Sequence, residues 1–196
     1  SPLTLSTNRS SALNSSLNLF ANYEKNATLW ASSLDLAYAL VKTGQNPVQK
    51  SDDKIEFNTK YSRKIGQGKW YYSSLLNFKS QFTNGYFYPD DSTVISKFMA
   101  PAYVTLSIGF TWKPVDYFEV MISPATGKWT IVTDQTLADA GAYGVDPAKI
   151  ENGTTVAGKN VRTEFGAYLN ALFKKDIMTN VTLTSKLELF NNYTDK

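Results

Sequence analysis

Residues 104–112 read Val-Thr-Leu-Ser-Ile-Gly-Phe-Thr-Trp. In an extended chain Val104, Leu106, Ile108, Phe110 and Trp112 point to one side, and Thr105, Ser107, Gly109 and Thr111 to the other. Successive strand side chains face opposite sides of a sheet, so this period of two predicts a strand with one apolar and one polar face. An apolar face must be covered. The sequence carries little amphipathic-helix pattern to cover it, so the simplest arrangement turns the apolar side outward, toward lipid, in a closed barrel.

Working outward, the same alternation recurs on both sides. Toward the N-terminus it spans Leu13–Glu24, Leu29–Val41, Lys54–Lys64 and Lys69–Thr83; toward the C-terminus it spans Tyr117–Ser123, Val161–Lys174 and Val181–Asn192. Leu17, Leu19, Leu34, Leu36, Phe57, Leu76, Val120, Leu169, Leu187 and Leu189 fall on the apolar side. Leu3–Ser6 reads as the end of one more, brief strand. Most segments reach the roughly 9–11 residues of a tilted membrane strand, above the mode of about 5–6 in soluble sheets.

The connections alternate too. EKNAT, IGQGK, KPVDY and KKDIMTN are turn-sized. TGQNPVQKSDD, the stretch from Asn84 to Ala102, and the stretch from Pro124 to about Asn160 are long. Short turns on one rim and long loops on the other describe an up-and-down transmembrane barrel with its long loops outside the cell. The reading is an all-β, antiparallel up-and-down transmembrane β-barrel forming a single domain over 1–196. About eight strands are visible. Both ends would then fall on the outer rim, so the complete protein is expected to hold ten or more strands and this domain to be incomplete at both ends.

Composition narrows the function. The net charge of +3 is spread among interspersed acids, which gives no basic block for nucleic acid. There is no cysteine, hence no disulfide or thiolate chemistry, and no histidine, the commonest general base and transition-metal ligand. No apolar run approaches a membrane helix. No catalytic, cofactor or metal site is assigned, and a non-enzymatic role is expected.

The polar face carries the candidate lumen charges Asp35, Lys54, Glu56, Lys60, Lys79, Glu119, Glu164, Lys186 and Glu188. They would either line an aqueous passage or pair with one another to fill a narrow lumen, and pairing is favoured. Tyr23, Trp30, Tyr38, Tyr61, Trp70, Tyr72, Trp112, Tyr117, Phe173 and Tyr193 gather near segment ends, as interfacial girdles do. The loop aspartates Asp52, Asp53, Asp90, Asp91, Asp134, Asp139 and Asp146 lack EF-hand spacing and read as turn caps. Four Asn-X-Thr matches are expected by chance in so Asn- and Thr-rich a chain, and no GxxxxGK[ST] phosphate loop is present.

The strings SLNLFANYEKN, SLDLAYAL, KSDDKIEFNTKYS, KWYYSSLLNFKSQF, YPDDSTVISKFMAPAY, SPATGKWTIV, GAYGVDP and RTEFGAYLNALFKKDI resemble an uncharacterised outer-membrane β-barrel family of Bacteroidetes, a domain of unknown function. The resemblance implies a multi-pass barrel in the outer membrane of a Gram-negative bacterium, with further strands past Lys196. It implies no catalytic residue. The opening SPLTLSTNRSSA is shorter than the family's.

Two roles follow as expectations. The first is a structural or interaction subunit of an outer-membrane assembly, contacting outer-membrane lipid and other surface proteins. The second is a small pore or transporter for polar solutes. The loop around Asp90 and Asp91 holds Tyr86, Phe87, Tyr88, Phe98 and Met99, the composition of a partner-contact patch. Such a loop would either plug the barrel or be covered by a partner, and a partner is favoured. Arginine at Leu106 or Ile108 is expected to be costly, and at Ser107 cheap, if the lumen is wet.

Overall fold

The computed structural model describes residues 9–194 apart from residue 152. The stretch Leu3–Ser6 lies outside the described residues. In chain order the elements are β1 (Ser10–Lys25), β2 (Thr28–Thr43), β3 (Gln49–Lys64), β4 (Trp70–Ser80), β5 (Gly85–Tyr86), β6 (Val94–Ser96), β7 (Ala102–Val115), β8 (Phe118–Ile131), α1 (Gln135–Asp139), β9 (Lys149–Glu151), β10 (Thr154–Val156), β11 (Val161–Met178) and β12 (Val181–Asn192). Eight long strands form one antiparallel sheet in the order β1-β2-β3-β4-β7-β8-β11-β12. The sheet curls into a half-barrel. Every long strand pairs with its sequence neighbour, so successive connections alternate between the rims; the stretch TGQNPVQKSDD, expected as a long loop, is mostly strand, because β2 runs to Thr43 and β3 starts at Gln49, and two long loops, 81–101 and 132–160, share one rim.

The curl is visible in side chains that meet across it. Lys60 on β3 reaches Glu119 on β8 at 2.9 Å, although β4 and β7 lie between them. The facing sides follow the alternation seen in the sequence. On β7, Leu106, Ile108, Phe110 and Trp112 are exposed on the convex side, while Ser107 and Thr111 are buried on the concave side. Tight curvature crowds the concave face, so its middle is built from small residues. Ser62 meets Ser73 at 2.8 Å, Thr126 Oγ1 donates to Ser107 Oγ at 2.9 Å, and Ser123 Oγ lies 2.9 Å from Thr126.

Two expectations are corrected here. The segment Tyr117–Ser123 was expected to end before Pro124, yet β8 runs on to Ile131. Proline cannot donate to a ladder and is tolerated in a sheet at a bulge. The register shifts between Ile108 and Phe110 on β7, and between Gly166 and Tyr168 on β11, so the bulge lies at 123–125, where Ala125 pairs with β7, Ser123 with β11, and Pro124 with neither. Gly109 is the counterpart this demands, because a Cβ there would sit 2.1 Å from the Ile122 carbonyl oxygen. The second correction concerns Ser107, where arginine was expected to be cheap. Ser107 is fully buried beneath the sheet's own hydroxyls, so no room exists for that side chain.

Of the remaining boundaries, β3 starts five residues earlier than expected, at Gln49, and the others agree with the alternation to within about four residues, with β7 starting at Ala102 and β11 running to Met178. The short turns use the left-handed backbone where they are tightest, at Asn26 (φ 55°), Gly66 (φ 57°) and Asn180 (φ 64°). Asparagine and glycine tolerate that conformation at least cost.

Candidate functional site

The concave face holds a cavity of about 390 Å³. One wall comes from β3 and β4 and supplies Glu56, Asn58, Asn77 and Lys79. The opposite wall comes from β11 and β12 and supplies Tyr168, Asn170, Lys186 and Glu188. Tyr103, Thr105 and Lys128, from β7 and β8, lie between the walls. Each wall is internally bonded. Lys79 Nζ lies 3.2 Å from Glu56, and Asn77 Nδ2 donates to Asn58 Oδ1 at 2.6 Å. Across the cavity, Lys186 lies 3.0 Å from Glu188, which also accepts from the Tyr168 hydroxyl at 2.6 Å and from Asn170 at 3.1 Å.

The structure thus brings four of the candidate lumen charges, Glu56, Lys79, Lys186 and Glu188, into one cavity. Lys54 lies on its border, 3.8 Å from Glu56. Lys60 and Glu119 form the separate cross-sheet pair, and Glu164 accepts from Arg162 at 3.0 Å and from Asn192 at 3.2 Å. Asp35 stands apart from these pairs, opposite Glu56 in the β2–β3 register. Lys128 was missed, because it was assigned to a loop beyond Pro124. The signal was present: Thr126, Lys128 and Thr130 alternate with Gly127, Trp129 and Ile131.

The candidate partner-contact loop is a built structure. β5 pairs with β6, and Lys97 bridges Ala100. The loop then docks on the long loop between β8 and β11 rather than hanging free. The Tyr143 hydroxyl donates to the Ile95 carbonyl at 2.6 Å, the Thr133 backbone N–H to the Met99 carbonyl at 3.1 Å, and Lys97 pairs with Asp134. Ala100, Val132, Ala138 and Val145 form a small core beneath this junction, with Leu137 and Tyr143 packed against it. Of the aromatic candidates, the rings of Tyr86 and Tyr88 lie 6.3 Å apart, tilted by 54°, and are half-buried, as is Met99, whereas Phe87 and Phe98 remain exposed. None of residues 81–101 lines the concave cavity.

Asp52 and Asp53, expected in a loop, lie within β3, while Asp90, Asp91, Asp134, Asp139 and Asp146 sit in the long loops, where several act as caps. Asp53 accepts from the backbone N–H groups of Phe82 and Thr83 at 2.7 and 2.9 Å and from Lys50, anchoring the loop's first strand-side turn. Asp90 accepts from Ser92 and Thr93, and these bonds hold its carboxyl down at about 2. Asp134 caps α1 through Leu137 N–H at 3.0 Å, and the Lys97 ammonium lowers its carboxyl below the ordinary range. Asp139 is lowered in the same way by Gln135 and the Gly158 N–H, and Asp146 by Lys159. Asp52 and Asp91 are exposed. The described residues hold no group of three or more carboxylates placed to bind a metal.

The convex face is the third feature. Its large side chains are exposed on β1 (Leu13, Leu17, Leu19), β7 (Leu106, Ile108, Phe110, Trp112) and β12 (Leu183, Leu187, Leu189), and those of β2 and β3 are half-buried apart from Trp30 and Tyr61. Aromatic residues concentrate toward the short-turn rim. Tyr23 pairs with Trp30 and Trp30 with Tyr61, Trp70 lies 6.3 Å from Trp112, Tyr72 lies 5.4 Å from Phe110, and Tyr117 lies 5.8 Å from Phe173. Phe165 and Tyr193, 5.9 Å apart, lie toward the long-loop rim.

Polar within, apolar without, and antiparallel throughout, this half-barrel is the architecture of a β-barrel wall. A family described as "Protein of unknown function (DUF3078)" matches residues 6–86, the part of the chain that includes β1 to β5. No curated protein and no solved structure matches the chain.

Proposed function

We propose that this protein is an outer-membrane β-barrel of a Gram-negative bacterium, similar to Bacteroidetes barrels of unknown function, whose long-loop rim is an interaction platform within an outer-membrane assembly. The observation that carries this reading is the docking of two long loops into one cap with its own apolar core, on a rim opposite the aromatic-rich one. A cap of this kind holds Phe87 and Phe98 outward at fixed positions, where rigid aromatic anchors suit a protein partner. The exposed apolar side chains of the convex face support the membrane half of the reading, since monomeric soluble proteins rarely expose contiguous patches beyond a few hundred Å².

The chain has no cysteine, which makes the test clean. Single cysteines at Gln45 or Asp91 should react with a membrane-impermeant maleimide in intact cells, and cysteines at Gln67 or Asp176 should not. Equal labelling of both sets, or a protein that stays monomeric in buffer without detergent, would defeat the proposal. Passage of polar solutes is the second reading, favoured by the charged concave cavity.

A further inference from the structure

A polar row crosses the concave face in register: Asn58 on β3, Asn77 on β4, Thr105 on β7, Lys128 on β8 and Glu164 on β11. On the short-turn side of it the next row is Lys60, Leu75, Ser107, Thr126 and Gly166, of which the last three are buried. That row, with the Lys60–Glu119 bridge beyond it, closes the cavity toward the short turns. The cavity is therefore a cup. Neither long loop contributes a residue to its lining, and its volume of about 390 Å³ falls among small-ligand sites.

The charges of the cup answer one another. Glu56 holds Lys79 at 3.2 Å and Glu188 holds Lys186 at 3.0 Å, while Lys128 lies 4.4 Å from the centre of the Phe190 ring, beside its cross-strand partner Glu164. An entering ion would have to compete with these contacts. A neutral molecule would not. What the cup has left is hydrogen-bonding capacity: among the described residues, the hydroxyls of Tyr103 and Thr105 and the side-chain oxygen of Asn170 have no hydrogen-bond partner. Glu188 takes Tyr168, Asn170 and Lys186 all on Oε1, which leaves Oε2 to accept. Phe190 and Tyr103 add aromatic surface beside these groups. A sugar hydroxyl donates and accepts at once, as a serine hydroxyl does, and the C–H faces of a sugar ring pack on aromatic surface.

We propose that the concave cup binds a neutral mono- or disaccharide, with Tyr103, Thr105, Asn170 and Glu188 as its hydrogen-bonding residues. Saturation-transfer NMR on the purified full-length protein, in a detergent without a sugar headgroup, tests this with glucose, galactose, maltose and lactose, and with glycine as a charged control. At least one sugar should give signals that salt does not weaken, and glycine should give none. Tyr103→Phe with Thr105→Val removes two hydroxyls and little volume, and should weaken that sugar about tenfold, as two lost hydrogen bonds do. Tyr103→Phe alone, at an exposed position, should weaken it about threefold, and Phe87→Ala in the cap should leave it unchanged. Silence from all four sugars, glycine bound in their place, or wild-type affinity in the Tyr103→Phe variant would overturn the proposal. Failure of the barrel reading is separate: it shows as a protein that needs no detergent, and the same titration then runs in buffer.

Discussion

The two faces of β7 invert the usual distribution of a water-soluble sheet. Ile108 is 59% exposed and Phe110 42%, while Ser107 and Thr111, flanking this pair on the other face, are 0% and 2% exposed. In a soluble protein the large apolar side would be buried and the hydroxyls would face water. Here the hydroxyls are buried because curvature closes the concave side around them; Ser107, Thr126 and Ser123 bond one another in a chain, while the Thr111 hydroxyl has no hydrogen-bond partner among the described residues. The comparison teaches that burial and hydrophobicity are decoupled in this sheet. Small size earns a place inside, and apolar character earns a place outside.

The sharpest way to break the comparison is to enlarge the inside. Gly109→Val places atoms where the Ile122 carbonyl already stands, so it should cost more than about 4 kcal/mol or prevent folding. Denaturant unfolding in detergent measures it. A Gly109→Val protein with wild-type stability would mean that the bulge at Pro124 is not packed against this strand.

The outside should be less sensitive, and in a graded way. Leu106→Arg and Ile108→Arg should each cost about 2–4 kcal/mol if these residues sit near the bilayer midplane. Lys79→Gln, on the concave face, should cost about 1 kcal/mol or less, since its partner Glu56 retains Lys54 and the pair is half-exposed. Equal costs on the two faces would erase the distinction.

The same contrast explains what the sequence made legible. Alternation alone located all eight long strands and told the two faces apart, because the convex and concave faces place opposite chemistry on adjacent residues. Eight of the nine candidate lumen charges fall in ion pairs, as pairing was expected to give. The far half of β8 was lost because Pro124 reads locally as a strand end, and only the neighbouring strands, through Gly109 and the shifted register, reveal the bulge. With it went Lys128. The docking of the two long loops was also illegible, since Tyr143 and Ile95 are 48 residues apart and no local pattern joins them.

A milder perturbation separates the cap from the sheet. Folding lowers the carboxyls of Asp134 and Asp139, so the open loops bind protons first as the pH falls. The support these groups give is present above the ordinary carboxylate range near pH 4 and is lost as the pH drops through their lowered values. Hydrogen exchange across residues 94–100 and 133–158 should therefore quicken below about pH 4, while β7 and β11 keep their protection. Simultaneous loss of protection in cap and sheet would show that the cap is not an independent unit.

The smallest effect on the fold is expected at the most exposed aromatics of the cap. Phe87 is 65% exposed and Phe98 57%, and neither ring takes part in the aromatic pairs of the sheet. Truncating either to alanine removes little buried area, so unfolding midpoints should move by no more than about 0.5 kcal/mol, as for ordinary surface changes. If the cap is an interaction platform, the same two substitutions should still abolish site-specific photo-cross-links formed from position 91 in native membranes, because anchors carry most of the energy of an interface. The double alanine variant therefore pits stability against association. Unchanged cross-linking with unchanged stability would remove Phe87 and Phe98 from any interface, and a large loss of stability would mean that their role is to hold the cap together.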